Sequence, residues 1–274
     1  MATGINLNAI KQFCDTAKTI LDSSKQVDAE LEATASAADR TGPDSSTAGD
    51  LASQAILDTA RTDSSGIGKK LVASVAKLRA AIGSGSSAGS LKQLDSKARG
   101  DLADCASKLS SLNESLTQAL TGVPAGPAQI ALQQAVFDFQ QAGLQENGPN
   151  GAEFHQGRVA SALTQADGKL SSASSEASAV AGDGPGKDVS SFGLAASHDV
   201  QSAAGYLADA SRVAKASASH QQSVTSYASQ GLSELNSILG PDEAAASEVS
   251  PDSGAPSDPA EGKVDEAPLD DDQG

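Results

Sequence analysis

Residues 91–120 read LKQLDSKARGDLADCASKLSSLNESLTQAL, and in them Leu91, Leu94, Ala98, Leu102, Cys105, Leu109, Leu112, Leu116 and Leu120 recur three or four positions apart. In an α-helix that spacing lines up every one of them on a single face, so the segment must bury its stripe against other helices. A helical bundle is the consequence.

Working outward, the same period recurs on both sides. Ile10, Phe13, Ala17, Ile20, Ser24, Val27 and Leu31 form a stripe that stops before the loop-like Arg40-Thr41-Gly42-Pro43. Ala48 to Arg61 carries a shorter stripe. Ile67, Leu71, Val75, Leu78 and Ile82 form another, closed by Gly83-Ser84-Gly85-Ser86-Ser87. Beyond the long Leu-rich helix, Gly122-Val123-Pro124-Ala125-Gly126-Pro127 cannot continue it. Ile130, Phe137, Gln141 and Leu144 then predict a helix ended by Asn147-Gly148-Pro149-Asn150-Gly151. Val159, Leu163, Ala166, Leu170, Ala173, Ala177 and Val180 predict the next, up to Gly182-Asp183-Gly184-Pro185-Gly186. From Val189 to Leu239 the spacing is helical again, as one long helix or two with a break near Ser217 to His220. No strand-length alternation of period two occurs. Short linkers favour antiparallel neighbours, as in an up-and-down bundle.

Composition limits the function classes. The chain of 274 residues is 38% hydrophobic but only 3% aromatic, so its core is built from Leu, Ile, Val and Ala. Its formal charge is −16, of which residues 241–274 supply −10 through eleven carboxylates and Lys263, leaving −6 for residues 1–240. This balance argues against nucleic acid and anionic membrane as partners and favours a basic one. The tail from Pro241, rich in Pro, Asp, Glu, Ser and Ala, is expected to be disordered, which divides the chain into a bundle over 1–240 and an acidic tail over 241–274. Runs such as Asp270-Asp271-Asp272 read first as solubilising. No apolar run is long enough for a membrane span, and no secretory signal is visible at Met1 to Asn8.

Chemistry is harder to find. His155, His198 and His220 lie far apart in sequence without metal-ligand spacing, and read as solvated or hydrogen-bonded histidines. The Gly-rich loops follow no strand and lack a phosphate-binding Lys, and no nucleophile elbow is present. Neither a cofactor nor an enzyme activity is expected; an enzyme using His155 with nearby Glu153 has only proximity behind it. Cys14 and Cys105 fall on apolar stripes as small buried hydrophobes.

Four segments resemble the plant pectin methylesterase and invertase inhibitor family. Leu102-Ala103-Asp104-Cys105 with Leu109, Leu112, Asn113, Ser115 and Leu116 is similar to its central helix, where an Asp-Cys pair precedes a Leu-Asn-x-Ser-Leu pattern. Ile10 to Cys14 looks like its first helix, Val159 to Leu170 like its Leu-Ser-Ala-Ala-Leu-Thr-x-x-Asp-Thr-Cys-Leu segment, and Ser229 to Leu232 like its closing Ser-Asn-Ala-Leu. The resemblance implies a four-helix bundle with an amino-terminal helical hairpin, enlarged here by insertions. It also implies a proteinaceous inhibitor that covers the substrate cleft of a pectin methylesterase, or of another cell-wall carbohydrate-active enzyme, without covalent chemistry. Of the family's bridge positions, Cys14 and Cys105 are kept while Ser23 and Lys169 stand where cysteines would, so its two disulfides cannot form. The alternative is a non-inhibitory helical scaffold or interaction protein with an acidic tail. The inhibitor reading implies an extracellular protein whose signal lies outside this chain; two free thiols suit the cytoplasm instead.

Overall fold

The computed structural model describes residues 6–57, 64–83, 89–182 and 189–240; the acidic tail, the end of the stripe expected from Ala48 to Arg61, and most of the Gly-rich runs that begin at Gly83 and Gly182 lie outside them. The described residues form α1 (Leu7–Asp39), α2 (Gly42–Leu57), α3 (Ser64–Ile82), α4 (Leu91–Leu120), α5 (Pro127–Asn147), α6 (Ala152–Ala181) and α7 (Val189–Leu239). The all-α expectation holds, and the 51-residue α7 is one unbroken helix about 76 Å long. At the position where a break was an option, Ser217 is buried and donates its hydroxyl to the Ala152 carbonyl at 2.8 Å.

The helices stack end to end into four columns: α1 with α2, α3 with α4, α5 with α6, and α7 alone. Cross-column partners give the direction. Ser24 meets Gln221 and Thr225, Asp39 meets Ser211 and Lys215, and Ala55 and Ile56 lie against Gly193. The residue numbers in each pair add to about 250, as two antiparallel helices of equal rise require. Asp95 with Gln156, Asn113 with Phe139, and Gly68 with Ala181 give about the same total for the second and third columns, again from equal rise. The first and second columns meet through Lys97–Glu30 at 2.7 Å and Lys77–Asp44 at 2.8 Å. Lys169–Asp199 at 2.9 Å joins the third to the fourth. The result is an up-down-up-down four-column bundle whose central turn, Gly122 to Pro127, is the midpoint of a chain folded back on itself.

One implied feature takes a different form. The amino-terminal segment does not fold as a separate hairpin, because α2 continues the path of α1 along α7 after a break of only Arg40 and Thr41. Gly42 and Pro43, expected in a loop, belong to the first turn of α2, where proline's missing N–H costs nothing.

The core runs the length of the rod in zones. At one end Ile10, Ile20, Leu109, Leu116, Leu132, Phe139, Val224 and Leu235 pack together from α1, α4, α5 and α7. At the other, Leu71, Leu78, Leu163, Leu170, Val200 and Leu207 pack with many alanines from α2, α3, α6 and α7. Val27, Leu31, Ala98, Leu102, Ala152 and Ala218 join them at the waist. Small residues let backbones approach closely: a Cβ on Gly231 would lie 2.6 Å from the Phe139 ring.

The one helix whose orientation differs from expectation is α5. The periodic residues Ile130, Phe137 and Leu144 face outward, and Gln141 is half-buried. The face turned to the bundle is instead Leu132, Ala135, Val136, Phe139 and Ala142.

Candidate functional site

Two features stand out from the packed alanine and leucine layers, one buried and one exposed. The buried one is a polar layer where α5 ends and α6 begins. Each column contributes: Ser24 from α1, Cys105 from α4, Glu146 from α5, and Gln221 with Thr225 from α7. Gln221 Nε2 donates to Ser24 Oγ at 2.8 Å, and Ser24 Oγ shares a 2.7 Å hydrogen bond with Thr225 Oγ1. Both Glu146 carboxyl oxygens and Gln221 Oε1 are buried without a hydrogen-bond partner. Burial, helped by the charge of Glu153 and only partly offset by the Gln221 side chain, pushes the Glu146 carboxyl up to about 8, so that it is protonated at neutral pH. Burial likewise raises the Cys105 thiol to about 12, with the Glu146 charge second, and the Cys14 thiol to about 11.

The elbow between α5 and α6 is clasped from α7. His220 Nδ1 donates to Gln145 Oε1 at 2.7 Å, and its ring stacks on His155 with centroids 5.2 Å apart. Phe154 sits edge-on to His155 at 5.5 Å. Burial, then His220, Arg158 and Arg212, push the His155 imidazole below its ordinary value. Gly151 is required at the elbow, since a Cβ there would lie 2.7 Å from the carbonyl oxygens of Gln145 and Glu146.

The residues singled out in the sequence are dispersed. Cys14 and Ser23 lie nine positions apart on the same helix α1, where about 13 Å of helical rise separates them. Ser23 accepts from Lys108 Nζ at 3.2 Å. Cys105 and Cys14 are free and buried; Lys169, in the other half of the rod, is paired with Asp199. His198 is next to Asp199 and distant from the stacked pair. Glu153 acts on Glu146 rather than on His155. Among the described residues no group of three or more His, Cys, Asp or Glu side chains converges to hold a metal, and no helix is long and apolar enough to cross a membrane.

The pairing of His155 with His220 carries no sequence signal. Glu146 did carry one: it continues the buried series Leu132, Ala135, Phe139, Ala142 at helical spacing, so a carboxyl stands where an apolar residue is expected.

The exposed feature is the outer face of α5. Ile130 is 66% exposed, Phe137 50% and Leu144 57%, at seven-residue intervals. The other fully exposed positions between them are Gln133, Gln134 and Gln140. The helix has no Lys or Arg, and its two acids, Asp138 and Glu146, are both buried. Grooves flank the stripe: one of about 430 Å³ against α4 beside Leu144 and Asn113, and one of about 530 Å³ against α7 beside Ile130 and Glu234. The helix thus hides its charges and shows Ile, Phe and Leu to solvent.

No family model matches the chain, and neither a curated protein nor a solved structure shows significant similarity to it.

Proposed function

We propose that this chain is a non-catalytic helical interaction module that docks onto protein through the outer face of α5. The observation that carries the reading is the inversion of that helix: Asp138 and Glu146 are inside, while Ile130, Phe137 and Leu144 are outside. Burying a carboxyl is costly, and an arrangement that does so while leaving three large apolar side chains in water is explained by a partner that covers them. The groups with the largest shifts in protonation, Glu146, Cys105 and Cys14, are sealed in the core, where they serve packing rather than turnover.

The test is to compare proteins retained from cell extract by the wild-type chain and by Phe137→Asp. Loss of the retained set in the variant supports the α5 face. Identical retention removes it.

A narrower second reading is favoured by the four ordered segments alone: inhibition of a pectin methylesterase or a related cell-wall enzyme. Purified chain added at micromolar concentration to a pectin demethylation assay tests it; an unchanged rate removes that enzyme as the target.

A further inference from the structure

We infer that the partner of the α5 face is a second copy of this chain, docked antiparallel about a two-fold axis through Phe137. The inference rests on the interaction reading above and names its occupant.

The first argument is self-complementarity. Around Phe137 the sequence of the outer face is a near-palindrome: Gln134 and Gln140 stand three residues away on either side, Gln133 and the half-buried Gln141 four, and Ile130 and Leu144 seven. An isologous contact requires that residue i meet j while j meets i. Antiparallel pairing at this register lays Phe137 on Phe137, Ile130 on Leu144 of the other copy, and glutamine amides on glutamine amides. The apolar positions keep a strict seven-residue repeat, which two helices accommodate by a shallow left-handed wrap. The stripe spans about 21 Å.

Charge is the second argument. Each copy carries −16, of which −6 belongs to residues 1–240, so a second copy is repelled on approach except where a face withholds its carboxylates. The outer stripe of α5 itself exposes no charged side chain, since Asp138 and Glu146 are buried, and the carboxylates nearest to it, Glu114 of α4 and Glu234 of α7, stand at the edges of the flanking grooves. A face shaped for a basic partner would present carboxylates; a face shaped for another acidic chain must withhold them.

The available area is small. Two 21-residue helices lying side by side, with the flanking edges of α4 and α7, bury on the order of 1,000 Å² in total, below the roughly 1,600 Å² of a standard stable interface. The contact falls at the small end of specific interfaces, where transient association is the rule, and the grooves beside Ile130 and Leu144 receive the opposing side chains.

Sedimentation of the full chain from about 1 to 200 µM tests this. Monomer at the low end and dimer at the high end is expected, with association strengthened several-fold by added salt as the remaining repulsion is screened. Phe137→Asp and the milder Phe137→Gln should each weaken it more than tenfold while leaving the helical circular dichroism unchanged. Geometry is read by mild oxidation. Phe137→Cys should give a covalent dimer, and Ile130→Cys mixed with Leu144→Cys should do so faster than either alone. A wild-type chain monomeric at 200 µM overturns the inference, and so does cross-linking at Phe137→Cys no faster than at the exposed α4 control Gln118→Cys. If the chain stays monomeric but Phe137→Asp still loses proteins retained from extract, the second copy is wrong and the interaction reading stands; if neither changes, both fall.

Discussion

Replacing Glu146 by glutamine should stabilise the protein at neutral and alkaline pH and leave it unchanged in acid. The side chain is fully buried in the waist of the bundle, neither oxygen has a well-formed hydrogen bond, the neighbouring Gln221 side chain offsets the burial only in part, and the nearest charge acting on it is another carboxylate, Glu153. Folded, the group holds its proton up to about pH 8; unfolded, it ionises near the model-compound value of 4.5. Between those values unfolding releases a proton, so the free energy of unfolding falls as pH rises. Each pH unit in this window costs about 1.4 kcal/mol, which gives about 3 kcal/mol at pH 7 and about 5 kcal/mol above pH 8. Glutamine keeps the shape and stays neutral, so Glu146→Gln recovers this amount. For a chain of this size, about 3 kcal/mol corresponds to a rise of roughly 6–12 °C in Tm at pH 7. Urea titrations followed by far-UV circular dichroism at pH 4, 7 and 9 measure it, with an unchanged m-value as the check that only stability moved. A variant no more stable than wild type at pH 7, or less stable, would refute the reasoning, because it would mean that the carboxylate is charged in the fold and paired.

Three further outcomes follow from the packing. Gly231→Ala pushes a methyl into the buried Phe139 ring and should cost about 1–3 kcal/mol in urea titration, part of which Phe139→Leu restores in the double variant. His155 is held below its ordinary value, so its neutral form contributes stability that is present above pH 6.5 and lost as pH falls; His155→Gln should flatten the acid limb of a stability profile, read as Tm between pH 5 and 7. Cys14 and Cys105, buried and raised to about 11 and about 12, should not react with a thiol reagent in the native protein at pH 8, and both should react once denaturant unfolds it.

Much of this architecture was readable because most of its helices own a single apolar stripe. In α4, Leu91, Ala98, Leu102, Cys105, Leu109, Leu112 and Leu116 are all buried, as their spacing requires. The residues of α6 from Val159 to Val180 behave the same way. Helix α5 is different because it owns two apolar faces. Periodicity finds Ile130, Phe137 and Leu144 as readily as Leu132, Val136 and Phe139, and cannot say which faces the bundle. The structure resolves the choice through Gly231, which makes room on α7 for the Phe139 ring and so fixes the rotation of α5. The helices' stacking was hidden for a related reason. A break such as Arg40-Thr41 looks the same in sequence whether the chain reverses there, as a hairpin would, or continues in line as it does. The clasp of Gln145, His220 and His155 joins residues up to 75 positions apart and depends wholly on the antiparallel register of α7.

Helix α7 gives the rod its coherence. It touches both ends of the core, and in the few residues from Ser217 to Gln221 it holds the end of α5, the start of α6 and the middle of α1. The α5 face is thereby presented on a rigid support, with its register fixed by Phe139 beneath and by the His220 clasp at its carboxyl end. A preorganised surface loses less freedom on docking, which favours association through an otherwise modest area.

The most direct test is to place a photo-cross-linking aromatic residue at Phe137, illuminate the purified full chain at about 100 µM, within the concentration range where a small interface associates, and map the product by mass spectrometry. The account predicts a covalent dimer whose cross-linked peptide is α5 of the second copy, centred on Phe137. A chain that remains uncross-linked, or that cross-links to any other helix, would contradict it.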